Sequence, residues 1–201
     1  NMVLALREEY EITIISFIQE NDACAYELPE EMDYEVILPY KARIREVITK
    51  AGRPFRSYIK NKQLDMVFYV GAYAGLCGGI HGRRLKIPRI FCDHGALLNQ
   101  WNEIPARTMR TLGSRFTDKT VVLTKQSEDA YYEKFHYKKG RVITIYNWID
   151  ERIKKAAAPY DPDSTRILTA GRFSKEKGMD LLVDTAAALA KKTKDFVWEG
   201  Y

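Results

Sequence analysis

The chain has 201 residues and a mass of 23.3 kDa, enough to bury a core without disulfide or metal staples. With 46% apolar and 29% charged residues it is not a disordered chain, and no apolar run approaches the roughly 20 residues of a membrane span. The net charge is +5, with no base-stacking ribbon or helix-turn-helix pattern, so nucleic acid is not an expected partner. From the N-terminus, Met2–Tyr10 reads as part of an amphipathic helix, without the basic and long apolar regions of a signal peptide. Strands are expected at Ile12–Phe17 and Glu35–Leu38, and a helix over Lys41–Lys62 with a break at Gly52-Arg53-Pro54. Strand Asp65–Val70 leads into helix Ala74–Leu85, where Gly71, Gly75, Gly78 and Gly79 suit close packing of the helix on a sheet. Strand Arg89–Asp93 follows, then a polar amphipathic helix within Trp101–Phe116, strand Thr120–Thr124, helix Lys125–Tyr137 and strand Val142–Tyr146. The last elements are strand Arg166–Ala170, helix Met179–Lys192 and strand Phe196–Glu199.

Near-continuous Val/Ile/Phe/Tyr strands suit a parallel sheet covered on both faces. Their alternation with helices predicts an α/β fold built on a doubly wound parallel sheet. Composition changes after Asp150: a polar fragment and the run Ala156-Ala-Ala-Pro159-Tyr-Asp-Pro162-Asp-Ser164 read as a linker. The expected organisation is therefore a Rossmann-like domain over 1–150, a linker over 151–164, and over 165–201 the first βαβ unit of a second domain. Both ends read as cut points, mid-helix at the start and at a strand end at the finish.

Charge is distributed unevenly. Residues 1–40 hold one base against ten acids, while residues 41–63 hold eight bases against Glu46 alone. Apolar residues of the basic segment recur near helical spacing. Such a helix can lie on an anionic membrane, or it can be a surface helix whose basic face is solvated or paired with the acidic 27–35 stretch. A second basic cluster, His81, Arg83, Arg84, Lys86 and Arg89, adds to the membrane alternative. Cys24, Cys77 and Cys92 are odd in number and widely spaced, as for reduced thiols in a cytosolic protein. The histidines form no ligand spacing with them, so no metal site is expected.

The sharpest local feature is Gly171-Arg172-Phe-Ser174-Lys175-Glu-Lys177-Gly178, between a strand and a helix. Backbone N–H groups at a helix start favour an anion, and Arg and Lys add charge suited to a diphosphate. An ordinary loop with surface charges fits the residues as well. It is neither a Walker loop nor a dinucleotide fingerprint.

The pattern Gly171-Arg172-x-x-x-x-Lys177-Gly178 before an apolar helix resembles the donor-site signature of family-4 retaining glycosyltransferases of GT-B fold (glycosyl transferase group 1). Phe116–Thr124 with Glu128–Glu133 resembles the family's last acceptor-domain strand and helix. Val142–Asp150 resembles its hinge segment, although Trp148 stands where Gly or Pro is usual. Ile90-Phe-Cys-Asp93-His94-Gly95 resembles the strand whose end presents a histidine to the cleft.

The resemblance implies a hexosyltransferase-type enzyme (EC 2.4) acting in cell-envelope or exopolysaccharide biosynthesis. It would move a sugar from a nucleotide-sugar donor to a hydroxyl of a saccharide or lipid-linked acceptor, with retention. Arg172 and Lys177 would neutralise the donor diphosphate, and Gly171 and Gly178 would let the backbone approach it. His94 would be the catalytic cleft residue, with Asp93 and Gly95 beside the acceptor pocket. No cofactor or metal is implied, and the setting would be cytoplasmic, peripheral on the inner membrane face. The family's upstream glycine loop and downstream glutamate pair are not in the sequence, so an incomplete catalyst is expected. Two alternatives stand: a non-catalytic α/β module binding a phosphorylated ligand or a protein, and a nucleotide-sugar epimerase of GT-B architecture.

Overall fold

Four short runs of β-branched and aromatic residues pair in parallel to form the central sheet. In a computed structural model, which describes residues 2–19, 32–147, 159, 161–174 and 177–200, the chain divides into two units, Asn1–Trp148 and Ile149–Tyr201. In the first, helix α1 (Met2–Leu6) precedes a parallel pair, β1 (Thr13–Ser16) and β2 (Asp33–Val36). The ladder continues past the strands, since Ile37 and Leu38 N–H groups donate to the Ser16 and Phe17 carbonyls. The main sheet has the order β3 (Val67–Val70), β4 (Arg89–Asp93), β5 (Lys119–Val122), β6 (Val142–Thr144). All three of its pairings are parallel, which requires the crossovers that the helices provide. The fold class expected from the sequence is the one observed.

Side-chain alternation gives this sheet two unlike faces. Register places Tyr69, Phe91 and Thr120 in one row, and Asp93 beside Val122 on the same face; all are buried. Against that face lie α4 (Ala72–Gly82), α5 (Ile104–Arg115) and α6 (Lys125–Phe135). The other face leaves Phe68, Val70 and Ile143 exposed, so cover on both faces is not complete among the described residues.

The basic segment forms two helices, α2 (Ile44–Lys50) and α3 (Gly52–Asn61), hinged at Ala51. The break falls just before the expected Gly-Arg-Pro because Pro54 sits in the first turn of α3, where its missing N–H costs nothing. The Glu46 carboxylate accepts from the Arg43 N–H at 3.2 Å and closes the start of α2. The apolar side of this pair, Val47, Ala51, Phe55 and Ile59, fills the core, where the Phe55 ring lies 5.0 Å from Phe17. Part of the acidic stretch pairs as one alternative anticipated: Asp33 accepts from Lys62 at 2.5 Å and from the Tyr58 hydroxyl at 3.0 Å.

Helix α4 seats on the sheet through its glycines. A Cβ at Gly78 would overlap the Tyr69 ring, and one at Gly75 would overlap Phe91. On its other side α4 meets α5 backbone to backbone: a Cβ at Gly113 would stand 3.1 Å from the Gly75 carbonyl carbon. The packing on the sheet expected for this glycine set is observed at Gly75 and Gly78, whereas Gly79 packs on α5 and a Cβ at Gly71 would meet no described neighbour.

The second unit is one parallel βαβ: β7 (Arg166–Thr169), α7 (Met179–Ala190) and β8 (Val197–Gly200). One terminal nitrogen of Arg166 donates to both Glu199 carboxylate oxygens, at 2.8 and 3.0 Å, and ties its two strands. None of its described residues is fully buried.

Candidate functional site

Parallel strands end at a common edge, and ligands of such sheets bind outside it. The ends of β1 and β3 and the start of α4 border an open cavity of about 420 Å³, lined by Ile15–Ile18, Val70, Tyr73 and Ala74. Gly71 caps α4 there with φ +85° and ψ 161°, a conformation that other residues rarely adopt. Among the described residues no atom outside its chain neighbours lies within 4 Å of where its Cβ would be, which leaves room for an approaching group there.

At the same edge β4 ends at Asp93, and the next residue, His94, is exposed. The turn is closed by Asp93, whose Oδ1 accepts from the Gly95 N–H at 3.0 Å. Asp93 is only 1% exposed, so its carboxylate does not face an acceptor pocket as the sequence suggested. It is an internal strut, because the β4 alternation points it at α5 and α6. Arg110 of α5, itself 5% exposed, brings its Nε within 3.2 Å of Oδ1 and 3.1 Å of Oδ2. The Tyr131 hydroxyl of α6 donates to Oδ2 at 2.7 Å. Burial, followed by the Asp93 charge, pushes the Tyr131 pKa up, which keeps that donor protonated. Gly95 has no space for a side chain: a Cβ would overlap the Arg110 guanidinium. Arg110 and Tyr131 were not singled out in the sequence.

In the second unit the segment read from the sequence as an anion site lies between β7 and α7. Arg172 and Lys177 are both exposed on it, and Gly178 starts α7 at φ +67°. The Lys177 N–H donates to the Ser174 carbonyl at 3.0 Å, which turns the chain into the helix. Gly171 ends the strand side of the loop; a Cβ there would stand 3.3 Å from the Met179 methyl. Lys175 lies outside the described residues, as do Trp148 and Asp150 of the expected hinge.

The second basic cluster does not persist as one surface. His81 is buried, and its Nε2–H donates to the Val47 carbonyl at 3.0 Å. Burial draws its pKa below the ordinary value, against that hydrogen bond, so the ring carries no charge at neutral pH. Arg89 is committed to Asp118 through Nε at 3.1 Å and a terminal nitrogen at 2.8 Å. Cys77 and Cys92 are buried free thiols whose pKa burial pushes up to about 11, which leaves them unreactive. Among the described residues no cluster of three His, Cys, Asp or Glu could hold a metal, and no helix is long and apolar enough to cross a membrane.

Several solved structures share the fold. A sucrose-phosphate synthase from Thermosynechococcus elongatus aligns with a TM-score of 0.68 at 17% identity, over 92% of this chain and 51% of that one. Anabaena HepE, solved in complex with UDP and glucose, gives 0.58 at 17% identity, over 84% and 47%. The UDP-GlcNAc 2-epimerase from Methanocaldococcus jannaschii gives 0.56 at 14% identity, over 86% and 52%. The chain thus spans about half the length of each. At such identities the likeness is one of fold, the GT-B architecture. No curated protein sequence matches. The sequence profile described as Glycosyltransferase Family 4 matches residues 1–152. With three quarters of its length matched, the chain belongs to Glycosyltransferase Family 4.

Proposed function

We propose that the protein acts in transfer of a sugar from a nucleotide-sugar to an acceptor hydroxyl with retention, in the assembly of a cell-envelope or extracellular saccharide. The observation that carries this reading, beyond the family, is the β7–α7 loop. It offers Arg172 and Lys177 to solvent beside a glycine-started helix. There the two cations would bind the donor diphosphate and stabilise the charge that grows on it as the sugar–phosphate bond breaks. That stabilisation takes the part a divalent metal plays elsewhere. In the first unit, His94 stands at the carboxyl edge, where it would face the transferred sugar or the acceptor hydroxyl.

The test uses full-length protein and titrates UDP- and GDP-sugars by calorimetry. Arg172→Ala and Lys177→Ala are each expected to weaken donor binding about tenfold to a hundredfold, the worth of a charged hydrogen bond. Unchanged affinity in both would remove the diphosphate assignment. A second reading, nucleotide-sugar epimerisation, draws on the fold shared with the M. jannaschii 2-epimerase. Product analysis separates the two. An epimerase converts free nucleotide-sugar with no acceptor present, whereas a transferase needs the acceptor.

The acceptor surface is a finer part of the proposal. Core packing takes the apolar side of α2 and α3, but Arg43, Arg45, Arg53 and Lys60 remain exposed, with Ile44 and Ile48 among them. Such a face would hold a cytoplasmic enzyme against an anionic leaflet where a lipid-linked acceptor resides. Co-sedimentation with vesicles containing phosphatidylglycerol is expected at 0.1 M salt. It should fade toward 1 M, as the Debye length shrinks from about 10 Å to about 3 Å. Equal binding to neutral vesicles would count against it.

A further inference from the structure

The loop that carries His94 is held from below by a network spanning three elements. Asp93 ends β4 and accepts from Arg110 of α5, from Tyr131 of α6 and from the Gly95 backbone. Gly95 is the residue directly after His94. The backbone on both sides of the histidine is therefore tied to one buried carboxylate, while the histidine itself is exposed. Arg110 also reaches the Ala96 carbonyl at 3.5 Å, one residue further along the loop. A buried ion pair adds little net stability against an apolar replacement of the same shape. Its cost is understandable where it fixes a geometry that apolar packing fixes less sharply.

We propose that Arg110 and Tyr131 are positioning residues that set the orientation of His94 over the carboxyl edge of the sheet, without touching either substrate. The proposal rests on the reading of His94 given above. It adds two helix residues whose effect reaches the site through Asp93. Because the strap ends on backbone rather than on the imidazole, it fixes where the ring stands and leaves its nitrogens open to a ligand. The precision matters, since a displacement of about 1 Å can cost on the order of a hundredfold in rate.

Two adjacent tyrosines of α6 supply the experiment. The Tyr131 hydroxyl is bonded to Asp93, whereas that of Tyr132 is bonded to the Val142 carbonyl and the Gly140 N–H, away from the His94 loop. Tyr131→Phe removes one hydrogen bond and Tyr132→Phe removes three, the third from the Val142 N–H, at matched side-chain size. The ring C–H signals of His94 are followed by NMR, and kcat and KM for transfer are measured on full-length protein. Tyr131→Phe is expected to shift or broaden the His94 signals and to lower kcat about tenfold with KM for the donor unchanged. Tyr132→Phe should leave both as in the unaltered protein. Arg110→Lys should recover part of what Arg110→Met loses.

The inference fails if Tyr131→Phe leaves the His94 signals unmoved. It also fails if the two tyrosine changes lower kcat alike, in step with lost stability. His94→Ala is measured in parallel. Undiminished transfer in that variant would overturn the role of the histidine itself, and the NMR comparison would then decide the strap alone.

Discussion

Arg110→Met is expected to lower the unfolding free energy by about 3–5 kcal/mol, the cost of leaving one partner of a buried ion pair alone. The change removes the guanidinium but keeps an unbranched side chain of similar reach. Asp93 then remains at 1% exposure with two donors, the Tyr131 hydroxyl and the Gly95 N–H, and no countercharge. The loss should appear in urea unfolding as a lower midpoint at an unchanged slope. A triple change, Asp93→Leu with Arg110→Met and Tyr131→Phe, removes the charges and the hydroxyl together. It should recover at least half of the deficit, because no buried polar side chain of the network is then left unpaired. An Arg110→Met protein as stable as the original would mean that Asp93 finds another partner, and the strap would lose its physical basis. The triple variant also separates stability from geometry: a stable protein whose His94 loop is no longer tied.

The order of elements was legible because each run is short, strongly patterned and bounded by Gly, Pro or polar residues. Val67–Val70 and Val142–Thr144 announce strands by their β-branched and aromatic content. Thr124, expected as the last residue of a strand, instead caps α6, where its hydroxyl accepts from the Ser127 N–H at 3.1 Å. The direction of individual polar side chains was less legible. Asp93 follows buried Phe91 and Cys92, and three buried residues in a row hide the alternation that would have turned it inward. Arg110 sits on a helix whose buried face is Arg110, Gly113 and Ser114, polar and small rather than apolar. That face exists because α4 comes too close for larger side chains, a tertiary fact with no signature inside α5. His81 was counted with neighbouring bases because charge counting ignores phase. It shares the buried face of Cys77 and Gly78, while Arg83 and Arg84 are exposed. The loop from Gly171 to Gly178 is the opposite case. Its glycines and cations stand in sequence next to one another, so a linear reading can group them without knowledge of the fold.

Gly78→Val should destabilise the first unit by about 3 kcal/mol, the upper range of ordinary overpacking. Intrinsic preference argues the other way, since almost any residue is a better helix former than glycine, by up to about 1 kcal/mol. The geometry decides between them. A Cβ at Gly78 would overlap the Tyr69 ring, which is itself buried and packed 6.4 Å from Phe55. The helix cannot lift away either, because its far side meets α5 at Gly79 and Gly113, where an added Cβ would stand 3.1 Å from backbone atoms. Relief is possible only on the tyrosine side. Tyr69 has a buried hydroxyl with no hydrogen-bond partner among the described residues, so exchanging it for an apolar residue forfeits no bond there. Tyr69→Leu combined with Gly78→Val should therefore be more stable than Gly78→Val alone, a coupling of at least about 1 kcal/mol between touching positions. Simple additivity of the two changes would show that α4 shifts as a body. The start of α4 at Gly71 and the cavity beside it would then move too, and with them the edge on which the proposed site is built.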